Sequence, residues 1–523
     1  MKKIFWSILV AVAILAVGGL VLGRVAENKL HAALAGIPGA RIDFKKVNLS
    51  PILGNLEFRD VEFALSDSTD AGPDIEGSIE SIKLENLSWR SLMHGEASAK
   101  RLLIRAPLAQ MVLKDGKPAP KKDSTERSDQ TSFLKKVALS ELRVEGGKIG
   151  LGSQGDSLRV AAQDIMFSLQ DIGLLLAENR VEYNDSTYSF SLDSLDFTDP
   201  EGLSRIQIGH LATADAGPVE ALGLHLYNCV PQEELAIRLG KVSAMWYDAR
   251  LDSLYTSPLN IPRMVKDQRV DIGSVSMSGP KIVMLQDDRY APAVPYTTFQ
   301  EGLNSLEMPL HIQKINASIT SFTFIWETSH VNKGTFPMHN LRIAVNSASN
   351  APGNLMKMDI KSGKGGAGTL DLSLSIRNDK KESTHGRMLI KNLDASRLDS
   401  FLRPLFGATV KADFHKIESS FQGDKHQMTD DFCMQYDNLV LQTWNDTTAP
   451  YQIVAKNSGV VTFLANLVVP SSNPSRPGKD PKKVEVSIER DPMQPYPAYI
   501  IQNLTMGMLK TVLPGKSVKK AKK

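Results

Sequence analysis

Residues 370–377 read Leu370-Asp-Leu-Ser-Leu-Ser-Ile-Arg377, four aliphatic side chains alternating with four polar ones. A period of two puts Leu370, Leu372, Leu374 and Ile376 on one face of an extended strand, with Asp371, Ser373, Ser375 and Arg377 on the other. A helix would scatter the same residues around its circumference. The alternation recurs in both directions along the chain, at Ile82–Leu84, Leu102–Ile104, Leu142–Val144, Phe190–Leu192, Ile206–Ile208, Phe322–Trp326, Leu341–Val345, Met356–Ile360 and Val484–Ile488. Between Phe58 and Val61 the phase slips by one, which predicts a bulge. Clusters of Gly, Asn, Asp and Ser separate the runs and suit hairpin turns. Strands with one apolar and one polar face belong to antiparallel sheets. The expected fold class is therefore all-β with few short helices.

Helical spacing is sparse. Leu398, Phe401, Leu402 and Leu405 fall at i, i+3, i+4 and i+7, after Asp394 and Ser396 as caps and before Gly407 as the stop. Tyr499 to Leu513 is a second helix, and Val25, Leu30, Leu34 and Ile37 mark a third, ended by Pro38-Gly39. The chain also repeats itself. Arg101–Met111, with Pro107, lies on Ser274–Met284, with Pro280, and Leu139 and Leu142 then meet Ile312 and Ile315 without a shift. This predicts a duplicated unit of about 170 residues, stacked so that neighbours cover each other's apolar faces.

The other decisive stretch is N-terminal. After Met1-Lys2-Lys3, an apolar run extends from Ile4 to Gly23 and ends at Arg24. At about 1.5 Å per residue it matches a hydrocarbon core of roughly 30 Å. It reads as an uncleaved anchor carried by Ile4, Phe5, Trp6, Leu9, Ile14, Leu15, Leu20 and Leu22. Cleavage near Ala16 and Gly18 is the alternative. Lys2 and Lys3 nearly balance Arg24 and Lys29, and the short N-terminal tail favours a cytoplasmic N-terminus with the body exported.

At 523 residues the chain exceeds one compact core. Its formal charge of +3 is spread along the sequence, so composition gives no case for nucleic acid. The lysines at 516, 519, 520, 522 and 523 form either a solvated end or a contact with anionic headgroups. Two cysteines, Cys229 and Cys433, make no disulfide framework and default to free thiols.

Chemistry is hard to find. Gly363-Lys-Gly-Gly-Ala-Gly368 fits G-x-G-x-x-G, but a strand follows where a dinucleotide site needs a helix, so it reads as a hairpin turn. No H-E-x-x-H, zinc spacing or G-x-S-x-G occurs. His415 and Asp413 share a strand face, a common surface pairing. No catalytic residue, metal or cofactor is indicated. What remains is the apolar faces. They pack together as sandwich cores, or they line a curled trough that holds acyl chains.

The segments Ala40–Ser50 and Gly54–Phe63, following the anchor and short helix, resemble the start of AsmA-like bacterial envelope proteins. Ile82–Leu92 leading into Leu102–Met111 resembles the unit repeated in that family, and Leu389–Phe421 its C-terminal region. The resemblance implies an elongated, twisted antiparallel β-groove on an inner-membrane anchor, with a periplasmic body and no enzymatic activity. It implies phospholipid or another acyl lipid as ligand, and the outer membrane or an outer-membrane protein as a second contact. A scaffold that holds outer-membrane proteins by exposed strand edges is the alternative. The groove lining is expected at Leu102, Ile104, Leu142, Val144, Phe322, Phe324, Leu341, Ile343, Leu370, Leu372, Leu374 and Ile376. The expected order is anchor (1–24), N-terminal β unit (25–113), linker (114–133), repeated units (134–380), C-terminal region (381–515) and basic tail (516–523).

Overall fold

The structure is a computed structural model that describes residues 40–50, 52–65, 74–88, 91, 96–113, 136–153, 159–175, 180–182, 187–215, 217–260, 263–264, 267–292, 294–328, 332–362, 368–406, 408–443, 470–474, 476, 478–494 and 496–512. The anchor, the helix expected at 25–37, the linker at 114–133, most of the Gly363–Gly368 turn and the lysine tail lie outside the described residues. Strand dominates, as the alternation requires. The chain forms two compact units, Met1–Leu224 with Pro258–Arg263, and His225–Ser257 with Met264–Lys523. The division thus falls inside the stretch 134–380.

In the first unit, β1 (Ala40–Ser50), β2 (Asn55–Leu65) and β3 (Asp74–Glu85) form an antiparallel meander. A broken strand follows: β4 (Glu96–Arg105), a kink at Ala106-Pro107, and β5 (Leu108–Leu113). Both halves pair antiparallel with β3 and parallel with β6 (Lys136–Ser153). β6 pairs antiparallel with β7 (Val160–Leu175). β8 (Arg180–Glu182), β9 (Tyr188–Leu192) and β10 (Ser194–Thr198) border β7. β11 (Ser204–Ile208) pairs with β10, and β12 (His210–Thr213) bridges β9 and β13 (Pro218–Asn228), whose last residues enter the second unit.

The second unit repeats this plan. After α1 (Gln232–Arg238), β14 (Ala244–Pro258) pairs antiparallel with β15 (Val270–Ser278) and β16 (Lys281–Asp287), which are separated by a kink at Gly279-Pro280. A crossover containing α2 (Phe299–Asn304) leads to β17 (Leu310–Glu327), parallel to β15 and β16. In both copies the parallel partner lies forty residues on: Leu102 with Leu142, Leu108 with Lys148, Val275 with Ile315, Lys281 with Ser321. The proline carbonyl of each kink accepts a backbone N–H from the long strand, Lys148 to Pro107 at 2.7 Å and Thr320 to Pro280 at 2.9 Å. The internal repeat in the sequence is thus a repeated topology.

The sheet is mixed, not purely antiparallel as the alternation suggests. Parallel pairing needs a crossover of a dozen residues or more. The stretch between Leu113 and Lys136 is long enough for one, and residues 288–309 supply the other. From β17 the chain returns to a meander: β18 (Lys333–Ser349), β19 (Leu355–Ser362), β20 (Thr369–Arg377), β21 (Thr384–Asp394), β22 (Ala408–Gly423), β23 (Gln427–Thr443) and β24 (Lys483–Glu489), each antiparallel to the strand before.

The phase slip expected near Phe58 is present but without a bulge, since Phe44–Val61 and Lys46–Arg59 keep one register with β1, and Arg59–Ser81 and Val61–Ile79 one with β3. It belongs to a recurring device. Asp60 has φ +52°, and Val61 behind it is 2 % exposed. The same left-handed acidic or amide residue followed by an inward aliphatic one occurs at Asn86-Leu87, Asp164-Ile165, Asp171-Ile172, Asn340-Leu341, Asn392-Leu393 and Asn438-Leu439. Each resets the alternation so that a twisting strand keeps its apolar face inward. Asn and Asp tolerate this backbone region better than other residues with a Cβ. β7 carries two left-handed residues, Asp164 and Asp171, and its counterpart β18 carries two with the same spacing, Asn340 and Ser347, the second a serine. Asn340→Val is expected to cost about 1–2 kcal/mol, and Asn340→Gly within about 0.5 kcal/mol. Urea unfolding of the two variants checks this.

Both helical expectations within the described residues hold. Asp394 accepts Ser396 N–H at 3.1 Å and opens a 3-10 turn, Ala395–Leu398, that runs into α3 (Asp399–Phe406). The C-terminal helix is α4 (Tyr496–Val512).

Candidate functional site

The expected lining residues do meet across strands, in apolar rows. Residues directly opposite in register share a face. In the first unit one row runs Leu49, Leu56, Leu84, Leu102, Leu142, Leu169 and Tyr188, and beside it Val47, Phe58, Ile82, Ile104, Val144, Phe167 and Phe190. Phe44 meets Phe58 edge-on, ring centroids 5.3 Å apart. Tyr188 closes the first row, its hydroxyl donating to the Leu259 carbonyl at 2.5 Å.

In the second unit, Ile315, Val345, Met358, Leu374, Gly386 and Phe421 form a row, and Ala317, Ile343, Ile360, Leu372 and Met388 its neighbour. Leu370 joins Ile390, Ile417 and Met434, and Ile376 joins Met356. Phe322 pairs with Met338 and Phe324 with Phe336, while Leu341 faces Ile319. The twelve expected positions divide by exposure. Leu102, Leu142, Leu341, Leu374 and Ile376 are buried core, whereas Ile104, Val144, Phe322, Phe324, Ile343, Leu370 and Leu372 are half-buried. The second group keeps its apolar surface partly open, and the first does not.

Helices close parts of the second unit's apolar face. In α3, Leu405 is buried and Phe401 stands 6.0 Å from the Phe336 ring and 6.3 Å from Trp326. α4 lies on β23 and β24. Its apolar spacing points to Ile500, Ile501, Leu504, Met508, Leu509 and Val512, yet the fully buried stripe is Tyr499, Asn503, Gly507 and Thr511 with Val512, and Ile501 is exposed. A cavity of about 590 Å³ opens on the opposite, polar face, along the rows of Lys357, Ser375, His385 and Gln422 and of Asp359, Ser373, Arg387, Ser420 and Asp431.

Two polar clusters in the second unit were not legible beforehand. At the ends of β16 and β17, Arg289 binds both oxygens of Asp287, at 2.9 and 2.6 Å, and reaches Glu327 at 3.3 Å. Next to it, Asp288 accepts from Ser243, Gln286 and Trp326 at 2.7 to 2.9 Å. In the second cluster, Thr298 caps α2 and donates to Glu382 at 2.5 Å, and Lys425 pairs with Glu301 at 3.0 Å. Burial pushes the Glu382 carboxyl above its usual range. Glu382 lines none of the three cavities described by their residues, so this raised carboxyl acts as an internal tie between the crossover and β21. His415 binds Asp437 at 2.9 Å rather than Asp413, which instead accepts from Asn438. Cys229 is exposed, Cys433 is buried, and the two form no disulfide.

Among the described residues no helix is long and apolar enough to cross a membrane, and no cluster of His, Cys, Asp or Glu has the geometry to hold a metal ion. Neither a scan of family models nor a search of curated proteins matched the chain.

Proposed function

We propose that this chain is a non-enzymatic lipid-handling protein of AsmA-like type, anchored in the inner membrane, whose apolar sheet faces bind phospholipid acyl chains. The observation that carries this reading is the apolar row Val47, Phe58, Ile82, Ile104, Val144, Phe167 and Phe190 in the first unit, which crosses seven strands without a polar interruption and keeps five of its seven members half-buried rather than buried. At about 4.8 Å per strand such a row spans about 29 Å, against a two-leaflet hydrocarbon core of roughly 30 Å. One row therefore matches the length of about two acyl chains. Every methylene laid on it gains about 0.8 kcal/mol. The half-buried positions provide the contact, and headgroups stay at the wet edge.

Native mass spectrometry of the detergent-solubilised chain should show bound phospholipid, and a photoreactive residue at Val144 or Leu372 should crosslink lipid. Leu372→Asn should cut lipid capture several-fold, because it sets an amide among methylenes. Absence of both lipid and crosslinks rejects the reading. Crosslinks to protein clients instead would favour the scaffold.

A further inference from the structure

The contact that seats α4 on the sheet leaves one proton to be placed. Asp430 on β23 is 2 % exposed and Asn503, mid-helix, is 0 % exposed. Asn503 Nδ2 donates to Asp430 Oδ2 at 2.9 Å, and Ser419 Oγ donates to the same oxygen at 2.9 Å. Both donors thus converge on Oδ2. Asp430 Oδ1 and Asn503 Oδ1 are buried and have no hydrogen-bond partner. An ionised carboxylate would hold these two acceptors unpaired in an interface built of Met428, Phe432, Val486 and Tyr499, a costly arrangement. A carboxylic acid removes both defects with one proton. Its Oδ1–H donates to Asn503 Oδ1 while Asn503 Nδ2 donates to Oδ2.

We propose that Asp430 is protonated in the folded protein and forms a two-point acid–amide pair with Asn503, which makes the docking of α4 a pH-operated latch. Burial is the main cause that pushes the Asp430 carboxyl above its usual range, and the bonds from Ser419 and Asn503, with the Ser420 backbone N–H near the same carboxyl, offset it only in part. Asp431, next along β23, adds repulsion. On β24, Val486 stands opposite Asp430, and Glu485 opposite Asp431. On β22, Phe421 is its partner, and Glu418 stands opposite Cys433, whose thiol burial raises. α4 brings Tyr499, kept neutral by burial, and Lys510, which donates to the Glu485 carbonyl. None of these supplies a cation to Asp430.

The sign follows from a folded value above the unfolded one. The latch contributes fully below the ordinary carboxyl range and weakens as pH rises through the folded value. Release of α4 uncovers Phe432, Met428 and Val486. Hydrogen–deuterium exchange of the full chain in detergent, corrected for intrinsic rates, reads this at α4. Between about pH 5 and about pH 8 the amides of residues 504–512 should lose protection severalfold. Asp430→Asn keeps a neutral partner and should flatten the profile. Asn503→Asp places a second carboxyl there and should steepen it. A flat wild-type profile, a wild-type slope in Asp430→Asn, or no steepening in Asn503→Asp overturns the proposal.

Discussion

Phe432→Ala is expected to lower the stability of the second unit by about 3–5 kcal/mol, the range for emptying a fully buried aromatic site. Phe432 is 0 % exposed and belongs to the cluster of Met428, Met434, Val486, Ile488 and Tyr499. The cavity cannot collapse easily, because the ring is gripped from both sides. β23 fixes its backbone, and α4 presents Gly507, where a Cβ would stand 2.5 Å from Phe432 Cγ. Gly507→Ala therefore stresses the same contact by overpacking and is expected to cost about 1–3 kcal/mol. Pulse proteolysis in urea reads both. A loss below about 1 kcal/mol for Phe432→Ala would mean that α4 does not seat on the sheet as described.

Gly507 also shows where sequence reading stops. The strands were legible because alternation is a local property, and so were the Asp394 cap of the turn that leads into α3 and the repeat that aligns Pro107 with Pro280. The direction of pairing was not. β4 and β5 alternate in the same way whether β6 lies parallel or antiparallel to them, and only the length of the crossover distinguishes the two. The left-handed residues were visible in principle. An Asn or Asp directly before an inward Leu, Ile or Val, as at Asp60-Val61 and Asn340-Leu341, marks a phase reset, whereas apolar alternation alone exposes only the slip between Phe58 and Val61. The seat of α4 was hidden for a different reason. Apolar periodicity selects Ile500, Ile501 and Leu504, whereas the sheet presents Asp430 and the Phe432 ring, which call for an amide and a glycine. The lining positions were legible as a face, yet their division into buried and half-buried follows from what packs above them.

Arg289→Met is expected to cost about 3–5 kcal/mol, because it leaves two buried carboxylates without their cation. The guanidinium side chain is 7 % exposed, and those of Asp287 and Glu327 are 2 % and 8 % exposed. The parallel register sets Asp287 directly opposite Glu327, so the fold itself brings the two negative charges together. Lys333 reaches Glu327 only at 3.7 Å and cannot replace a two-point contact with Asp287. Arg289→Lys should therefore also be costly, since an ammonium lacks the planar fork that meets both carboxylate oxygens. Adding Asp287→Asn and Glu327→Gln to Arg289→Met removes the uncompensated charges and should recover most of the loss at neutral pH. If the single variant loses less than about 1 kcal/mol, or the triple variant recovers nothing, the cluster does not owe its stability to charge compensation around Arg289.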